Sequence, residues 1–331
     1  MNALQRTLGL FQVNAIGLGC MSLSHAYGTT PNKDAASHLL NHALDVGYNL
    51  LDTAALYGFG ANEELLGSAL KGRRHQFVLA SKCGLFRNAD GVREINGRPD
   101  VIKKTCEDSL RRLNTEVIDL YYLHRWDKNV PIEDSVGALS DLVQEGKIRS
   151  IGLSEVSVDT LKKAHNVHPV TAVQNEFSLW TRNPHIAMLE ACRTMGIALV
   201  AFSPVGRGFL TDKPPIPSDF EASDIRGKMP RFQTDNHSHN LQIAERFSDF
   251  AKSQGHTRAQ LALAWLLHQG EHVIPIPGTT SINHLEENFA ATDIALSSEQ
   301  LQHLDSLISE QIIKGKRYPE PVYAEIDSEE F

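Results

Sequence analysis

Short apolar runs alternate along the whole chain with longer stretches in which apolar residues recur every three or four positions. The runs are Ala15–Cys20, Tyr48–Asp52, Phe77–Ser81, Ile118–Leu123, Ile148–Leu153, Ala172–Asn175, Leu199–Ser203 and Val273–Ile276. Strands that alternate with amphipathic helices make a parallel sheet with crossover connections. Eight such units predict an α/β fold, a closed (β/α)8 TIM barrel. Helix starts are legible between them. Pro99 and Asp100 open a helix carrying Ile102, Cys106, Ser109, Leu110 and Leu113; Pro131, Ile132 and Glu133 open another that ends near Gly146; Pro184 opens a third. A proline in the first helical turn sacrifices no hydrogen bond.

Two segments fall outside the alternation. Arg6 to Asn14 reads as a β-hairpin with its turn near Gly9, placed to plug the N-terminal end of the barrel. Gly206 to His239, with Pro214, Pro215, Pro217 and Pro230, reads as a long loop after the seventh strand. A loop of that length inside a compact domain is usually functional, and this one is expected to cover the active mouth. No linker or repeat divides the chain, so residues 1–331 read as one domain. A doubly wound dinucleotide-binding sheet would need G-x-G-x-x-G at a strand-to-helix turn. Gly17-Leu18-Gly19 lacks the third glycine, and Gly206-Arg207-Gly208 comes only after the seventh strand.

Composition narrows the class. With 331 residues, 41% hydrophobic, 22% charged, the chain is of ordinary globular type. A net charge of -8 without long like-charge runs argues against a nucleic-acid or membrane partner. Gln12 and Asn14 interrupt the one stretch resembling a targeting segment, Thr7 to Leu23. Cys20, Cys83, Cys106 and Cys192 are scattered without a C-x-x-C, which predicts no disulfide and a reducing, cytoplasmic compartment. His237-Ser238-His239 is the tightest histidine cluster, but it has no nearby cysteine or paired carboxylates, so no metal site is predicted.

The candidate chemistry sits at strand ends. Asp52 ends the second run, Tyr57 follows five residues later, Lys82 closes the third run and His124 the fourth. In a parallel β/α barrel the C-terminal ends of different strands share one mouth. A free tyrosine has a pKa of about 10, and a nearby ammonium would stabilise its phenolate and lower that value. Asp52 would hold Lys82 charged and directed. His124 would be placed to hydrogen-bond a substrate oxygen and orient it. The expected chemistry is polarisation and proton transfer, without covalent catalysis.

These four residues, in this order and at about these spacings, resemble the catalytic tetrad of the aldo-keto reductases. The likeness continues through Asn62-Glu63-Glu64-Leu65-Leu66-Gly67, Gly152-Leu153-Ser154-Glu155, Gln174-Asn175-Glu176-Phe177-Ser178-Leu179 and Ala201-Phe202-Ser203-Pro204. Pro230-Arg231-Phe232-Gln233 and Arg317-Tyr318-Pro319-Glu320 further resemble the plant and microbial branch containing pyridoxal and perakine reductases. What the resemblance implies is NADP(H) or NAD(H), a small aldehyde, ketone or alcohol as substrate, and no metal. It assigns Ser154 and Gln174 to the nicotinamide carboxamide and Phe202 to its ring; Glu155 stands where many relatives have Asn. Ser203, Pro204, Gly206 and Gly208 would line the pyrophosphate, and Gly278, Thr279, Ser281, Glu287 and Asn288 the adenosine end.

Relatives that prefer NADPH usually carry a Lys or Arg just after the Pro-Gly-Thr-Thr stretch, or three residues on. Here Ser281 and His284 occupy those places, so weak NADPH preference or dual use is expected, with Arg207 as an alternative cation. Met21, Trp126 and Trp180 are expected to line a pocket for an aromatic or apolar substrate body. The same fold also serves as the cofactor-binding β subunit of potassium channels, which makes a regulatory subunit the second reading. A metal-dependent hydrolase is a poor third, because Lys82 would repel a metal.

Overall fold

The computed structural model describes residues 4–24, 26–87 and 92–331. Its strands, in chain order, are β1 (Gln5–Leu8), β2 (Phe11–Asn14), β3 (Leu18–Gly19), β4 (Leu50–Asp52), β5 (Val78–Cys83), β6 (Leu85–Arg87), β7 (Arg93–Ile95), β8 (Leu120–Leu123), β9 (Ile151–Ser154), β10 (Val170–Glu176), β11 (Ala198–Phe202) and β12 (Val273–Pro275). The helices are α1 (Lys33–Val46), α2 (Ala61–Ala69), α3 (Pro99–Leu113), α4 (Ile132–Gln144), α5 (Val158–Val167), α6 (Met188–Met195), α7 (Thr234–Ser253), α8 (Arg258–Leu267), α9 (Ile282–Ala290), α10 (Ser298–Leu307) and α11 (Glu320–Tyr323).

Eight strands pair in parallel in the order β3-β4-β5-β8-β9-β10-β11-β12. The sheet also closes on itself. Gly17 N–H donates to Pro275 O (3.0 Å) and Gly19 N–H to Pro277 O (3.2 Å), joining the first strand to the last. A Cβ at Gly19 would lie 2.8 Å from Ile276 O, so this seam requires glycine. The expected (β/α)8 barrel is therefore the observed architecture.

Side chains alternate across a strand, which divides the apolar residues into two cores. The outward set packs under the helices, with Ile102, Cys106 and Leu113 of α3 and Leu139 and Leu142 of α4 among its buried members. The inward set, Leu50, Ala80, Leu120, Ala172, Val200 and Ile274, fills the barrel together with Leu8 and Val13 of the β1–β2 hairpin. The hairpin thus plugs the N-terminal end, as its sequence predicts. Above this layer lies Tyr122, whose ring a side chain at Gly152 would strike.

Several boundaries differ from those predicted. The ladder covers only Leu18–Gly19 of the first run, Leu120–Leu123 of the fourth and Ile151–Ser154 of the fifth, with Ile118 and Ile148 joined by an isolated bridge. Apolar runs report burial rather than pairing; Ala15 and Ile16 are fully buried outside the ladder. Conversely, β5 continues through Lys82 to Cys83, so Lys82 lies inside the strand instead of closing it. Pro184 lies inside a short 3-10 turn, Asn183–His185, and α6 starts only at Met188. The loop after β11 ends before Thr234, where α7 begins. His237 and His239 therefore lie on a helix and not in a loop. They bond to the carbonyls of Pro215 and Ile312.

Candidate active site

The same period of two that builds the inner core also builds the site. Two residues beyond Leu50, Ala80, Ala172 and Val200 come Asp52, Lys82, Gln174 and Phe202, and His124 stands two beyond Tyr122. Each strand thus presents its next inward side chain at the C-terminal mouth, the functional end of this architecture. Lys82, fully buried, is the hub. Its ammonium donates to Asp52 Oδ1, to Thr53 O at 2.8 Å and to the Tyr57 hydroxyl at 3.3 Å. Gln174 Nε2 donates to the second Asp52 oxygen at 2.8 Å, so both carboxylate oxygens are held. The Tyr57 and His124 rings meet edge to face, 5.9 Å between centroids.

Burial pushes the Tyr57 phenol up, and the Lys82 ammonium only partly offsets it. The lowering expected from the sequence is therefore not what the structure shows: desolvation of the phenolate outweighs the neighbouring cation. Tyr57 is accordingly protonated at neutral pH. Burial opposes the charge on Lys82, but Asp52 and Tyr57 together override it and raise its pKa. Burial, then Arg125, Lys82 and Arg93, holds His124 well below the ordinary histidine value, so the imidazole is neutral. Its Nδ1 is buried without a partner among the described residues.

The turn after β4 fixes Tyr57 locally. Gly58, Phe59 and Gly60 all have positive φ, and Phe59 is non-glycine, so this turn carries backbone strain at the site. Fully buried Asn62 and Glu63 tie the turn down. Asn62 accepts from Thr53 Oγ1 (2.6 Å) and donates to Cys20 O and Ser24 Oγ (2.9 Å each). Glu63 accepts from Ser81 Oγ (2.6 Å) and Arg112 Nε (2.7 Å).

Tyr57 and His124 open into a cavity of about 1200 Å³ that also touches Asp52 and runs past Ser154, Gln174 and Phe202 to Gly278, Thr279 and Asn288. The loop after β11 spans it. Ile225 N–H donates to Ala26 O (3.1 Å), Gly28 N–H to Asp224 (3.2 Å) and Thr29 Oγ1 to Glu221 (2.9 Å), so this loop clasps the one after β3 across the opening.

Residues 15–309 match the model of the aldo/keto reductase family. The chain belongs to that family. An NADP(+) aldo-keto reductase of Schizosaccharomyces pombe is 43% identical over 320 residues, 95% of this chain and 94% of that relative. A probable aldo-keto reductase of Glycine max is 43% identical over 93% of this chain and 89% of its own length. Among solved structures, the glycerol dehydrogenase of Gluconobacter oxydans superposes with a TM-score of 0.86 at 28% identity, covering 96% of this chain and 98% of that one. A Klebsiella pneumoniae aldo/keto reductase in complex with NADP and acetate has a TM-score of 0.72 at 28% identity, covering 93% of this chain and 95% of that one.

In this aldo/keto reductase, Ser154, Gln174, Phe202, Ser203, Pro204, Gly208, Gly278, Thr279, Glu287, Asn288 and Met21 all line the cavity. Gly206 and Ser281 do not; the Ser281 hydroxyl instead caps α9 by accepting from the His284 backbone. Trp126 and Trp180 also fall outside it. Trp180 is buried against Phe209, and Trp126 donates its indole N–H to Val130 O, so both serve packing. Arg207 is spent on Glu176 (2.8 Å), Tyr27 and Tyr318, not on an open anion site. Sequence reasoning missed Arg93, Arg125 and the C-terminal wall of Tyr318, Pro319 and Val322. Arg125 directly follows His124 and was discoverable by adjacency. Tyr318 and Pro319 stand out in the sequence only within the subgroup motif Arg317-Tyr318-Pro319-Glu320, and only the fold brings the C-terminal wall to the mouth.

Proposed function

We propose that the chain, acting as one unit over residues 1–331, is an NAD(P)(H)-dependent oxidoreductase. It interconverts a small aldehyde or ketone and the corresponding alcohol. The observation that carries this is the Tyr57 hydroxyl, bonded to a buried ammonium and open to the same cavity as a neutral imidazole. The Schizosaccharomyces pombe relative named for NADP(+), and the Klebsiella complex, support the coenzyme class. Free, buried cysteines suit a reducing compartment, the cytoplasm.

The cavity fits a dinucleotide. At about 1200 Å³ it exceeds the roughly 300–1,000 Å³ of an ordinary small-ligand pocket, and the Ser22 hydroxyl on its wall is buried without a partner among the described residues. Phe202, Ser154, Ser203 and Gly208 would hold the nicotinamide half, and Thr279 and Asn288 the adenosine half. When bound, the coenzyme supplies or accepts a hydride. Gln174, already committed to Asp52, orients that carboxylate first.

His124, neutral, hydrogen-bonds the carbonyl oxygen and turns it towards Tyr57. As negative charge develops on that oxygen, Tyr57 gives up its proton, and Lys82, kept charged by Asp52, stabilises the phenolate left behind. The reverse direction returns the proton to Tyr57. Tyr57→Phe should retain coenzyme affinity and cut reduction of a standard aldehyde by about a hundredfold or more. Retention of over about a tenth of wild-type turnover, with hydride transfer limiting, would remove Tyr57 from the role of acid. Coenzyme binding without turnover of any aldehyde would favour the regulatory reading instead.

A further inference from the structure

The cations around the cavity are not equivalent. Arg207 meets Glu176 at 2.8 Å, Arg226 meets Asp224 at 2.6 Å and Arg93 meets Glu325 at 2.6 Å. Arg125 lines the same cavity, is only 7% exposed, and among the described residues has no carboxylate partner. Its Nη1 donates to His124 O (2.6 Å) and Ser154 Oγ (3.3 Å), both neutral acceptors. Its Nε is buried, and neither Nε nor Nη2 has a hydrogen-bond partner among the described residues. Glu155, a carboxylate close enough to feel Arg125, is committed to Arg317 through two hydrogen bonds of 3.0 and 2.8 Å.

A guanidinium is always charged and has no acceptor capacity. Withdrawing it from water without an anion is unfavourable, and folds tolerate such a group where a ligand completes it. Arg125 also stands at the reacting end of the cavity, next in sequence to His124. Arg93 lies near enough for the two guanidiniums to oppose each other. Arg125 therefore brings to the reacting end a charge that no carboxylate among the described residues pairs directly.

We infer that Arg125 receives an anionic group of the substrate, which is an aldehyde or ketone carrying a carboxylate or a phosphate near its carbonyl. This rests on the carbonyl-reductase reading above. A planar guanidinium takes either anion by paired N–H donors. The bland alternative is that Arg125 only braces the His124 carbonyl.

The test compares kcat/KM for matched carbonyls: butanal against 4-oxobutanoate, and glyceraldehyde against glyceraldehyde 3-phosphate. Wild type should favour the charged member of one pair by about tenfold or more, the scale of a charged hydrogen bond, with the difference in KM. Whichever pair shows it identifies carboxylate or phosphate. Arg125→Gln should abolish the ratio, and Arg125→Lys should keep part of it. No preference in wild type, or a preference that survives Arg125→Gln, overturns the proposal. If Arg125→Gln does not fold, wild type decides alone: propanoate or inorganic phosphate should inhibit butanal reduction competitively with aldehyde, and propanamide should not. Absence of such inhibition also overturns it. A wild type that reduces no carbonyl with either coenzyme would instead overturn the reductase reading on which this one stands.

Discussion

Two buried ion clusters share the rim of this barrel, and they differ in where their last partner points. At the ends of β4 and β5, Asp52 and Lys82 pair with side chains almost wholly buried, yet the third partner of Lys82 is a phenol that opens into the cavity. At the ends of β9 and β10, Glu155 accepts from Arg317 Nη1 and Nη2, from Ser328 Oγ at 2.8 Å and from the Glu176 N–H at 2.8 Å. Arg317 also meets Glu330 at 2.6 Å. Every partner there is protein, and the result is an anchor that seats the C-terminal segment so that Tyr318, Pro319 and Val322 form cavity wall. Burial of charge at a strand end does not by itself mark chemistry. What sets the Asp52–Lys82 cluster apart is a protonated phenol bonded to it that opens into the cavity.

The sharpest way to separate the two is to remove the anchor. Arg317→Met leaves Glu155 buried without its main counter-ion, and breaking a buried pair on one side costs about 3–5 kcal/mol. Urea unfolding at pH 7 should show that loss. Burial alone would raise Glu155, and Arg317, assisted by Arg125, reverses this and holds it below its ordinary 4.5. A depressed carboxylate contributes stability that is present above its unfolded pKa and lost as pH falls through the folded one. The gap between wild type and variant should therefore narrow as pH falls below about 4.5, the unfolded value for glutamate. A variant within about 1 kcal/mol of wild type at pH 7 would show that the C-terminal segment is held by something else.

The open cluster should respond in activity. Asp52→Asn and Lys82→Met should each depress turnover by about tenfold or more. The double variant should lose less than the product of the two, with a coupling of roughly 1–3 kcal/mol, because neighbours in one network are not additive. Strict additivity on folded proteins would dissolve the Asp52–Lys82–Tyr57 chain into independent residues.

What the sequence disclosed follows the same division. Asp52, Lys82 and His124 were legible because polar residues interrupt apolar strands at a fixed position, and a parallel barrel sends strand ends to one place. The hairpin plug was legible from its turn and alternation. The Glu155–Arg317 pair was not: its partners are separated by 162 positions, and Arg317 lies in an irregular stretch with no period to read. Nor could composition forecast that desolvation would outweigh Lys82 at Tyr57, since that balance depends on burial. Trp126 and Trp180 lie outside the cavity lining, since a large aromatic near a mouth packs as readily as it lines.

The smallest effect concerns the far end of the cavity, away from both clusters. His284 lines the cavity and Ser281 does not, its hydroxyl being used to cap α9. Neither offers the fixed cation that a 2′-phosphate favours, and Arg207 is neutralised by Glu176. NADPH should therefore exceed NADH in affinity by less than about a hundredfold, two contacts' worth of charge-assisted bonding at most. Ser281→Lys should add a cation at the helix start and move the NADPH to NADH ratio up by about tenfold, while losing the cap at a cost of about 1 kcal/mol in stability. Titrating both coenzymes against intrinsic fluorescence gives the ratio in wild type and variant. A wild-type preference already above about a hundredfold, unmoved by Ser281→Lys, would transfer the recognition to Lys213 or Lys228, the exposed cations that also touch this cavity.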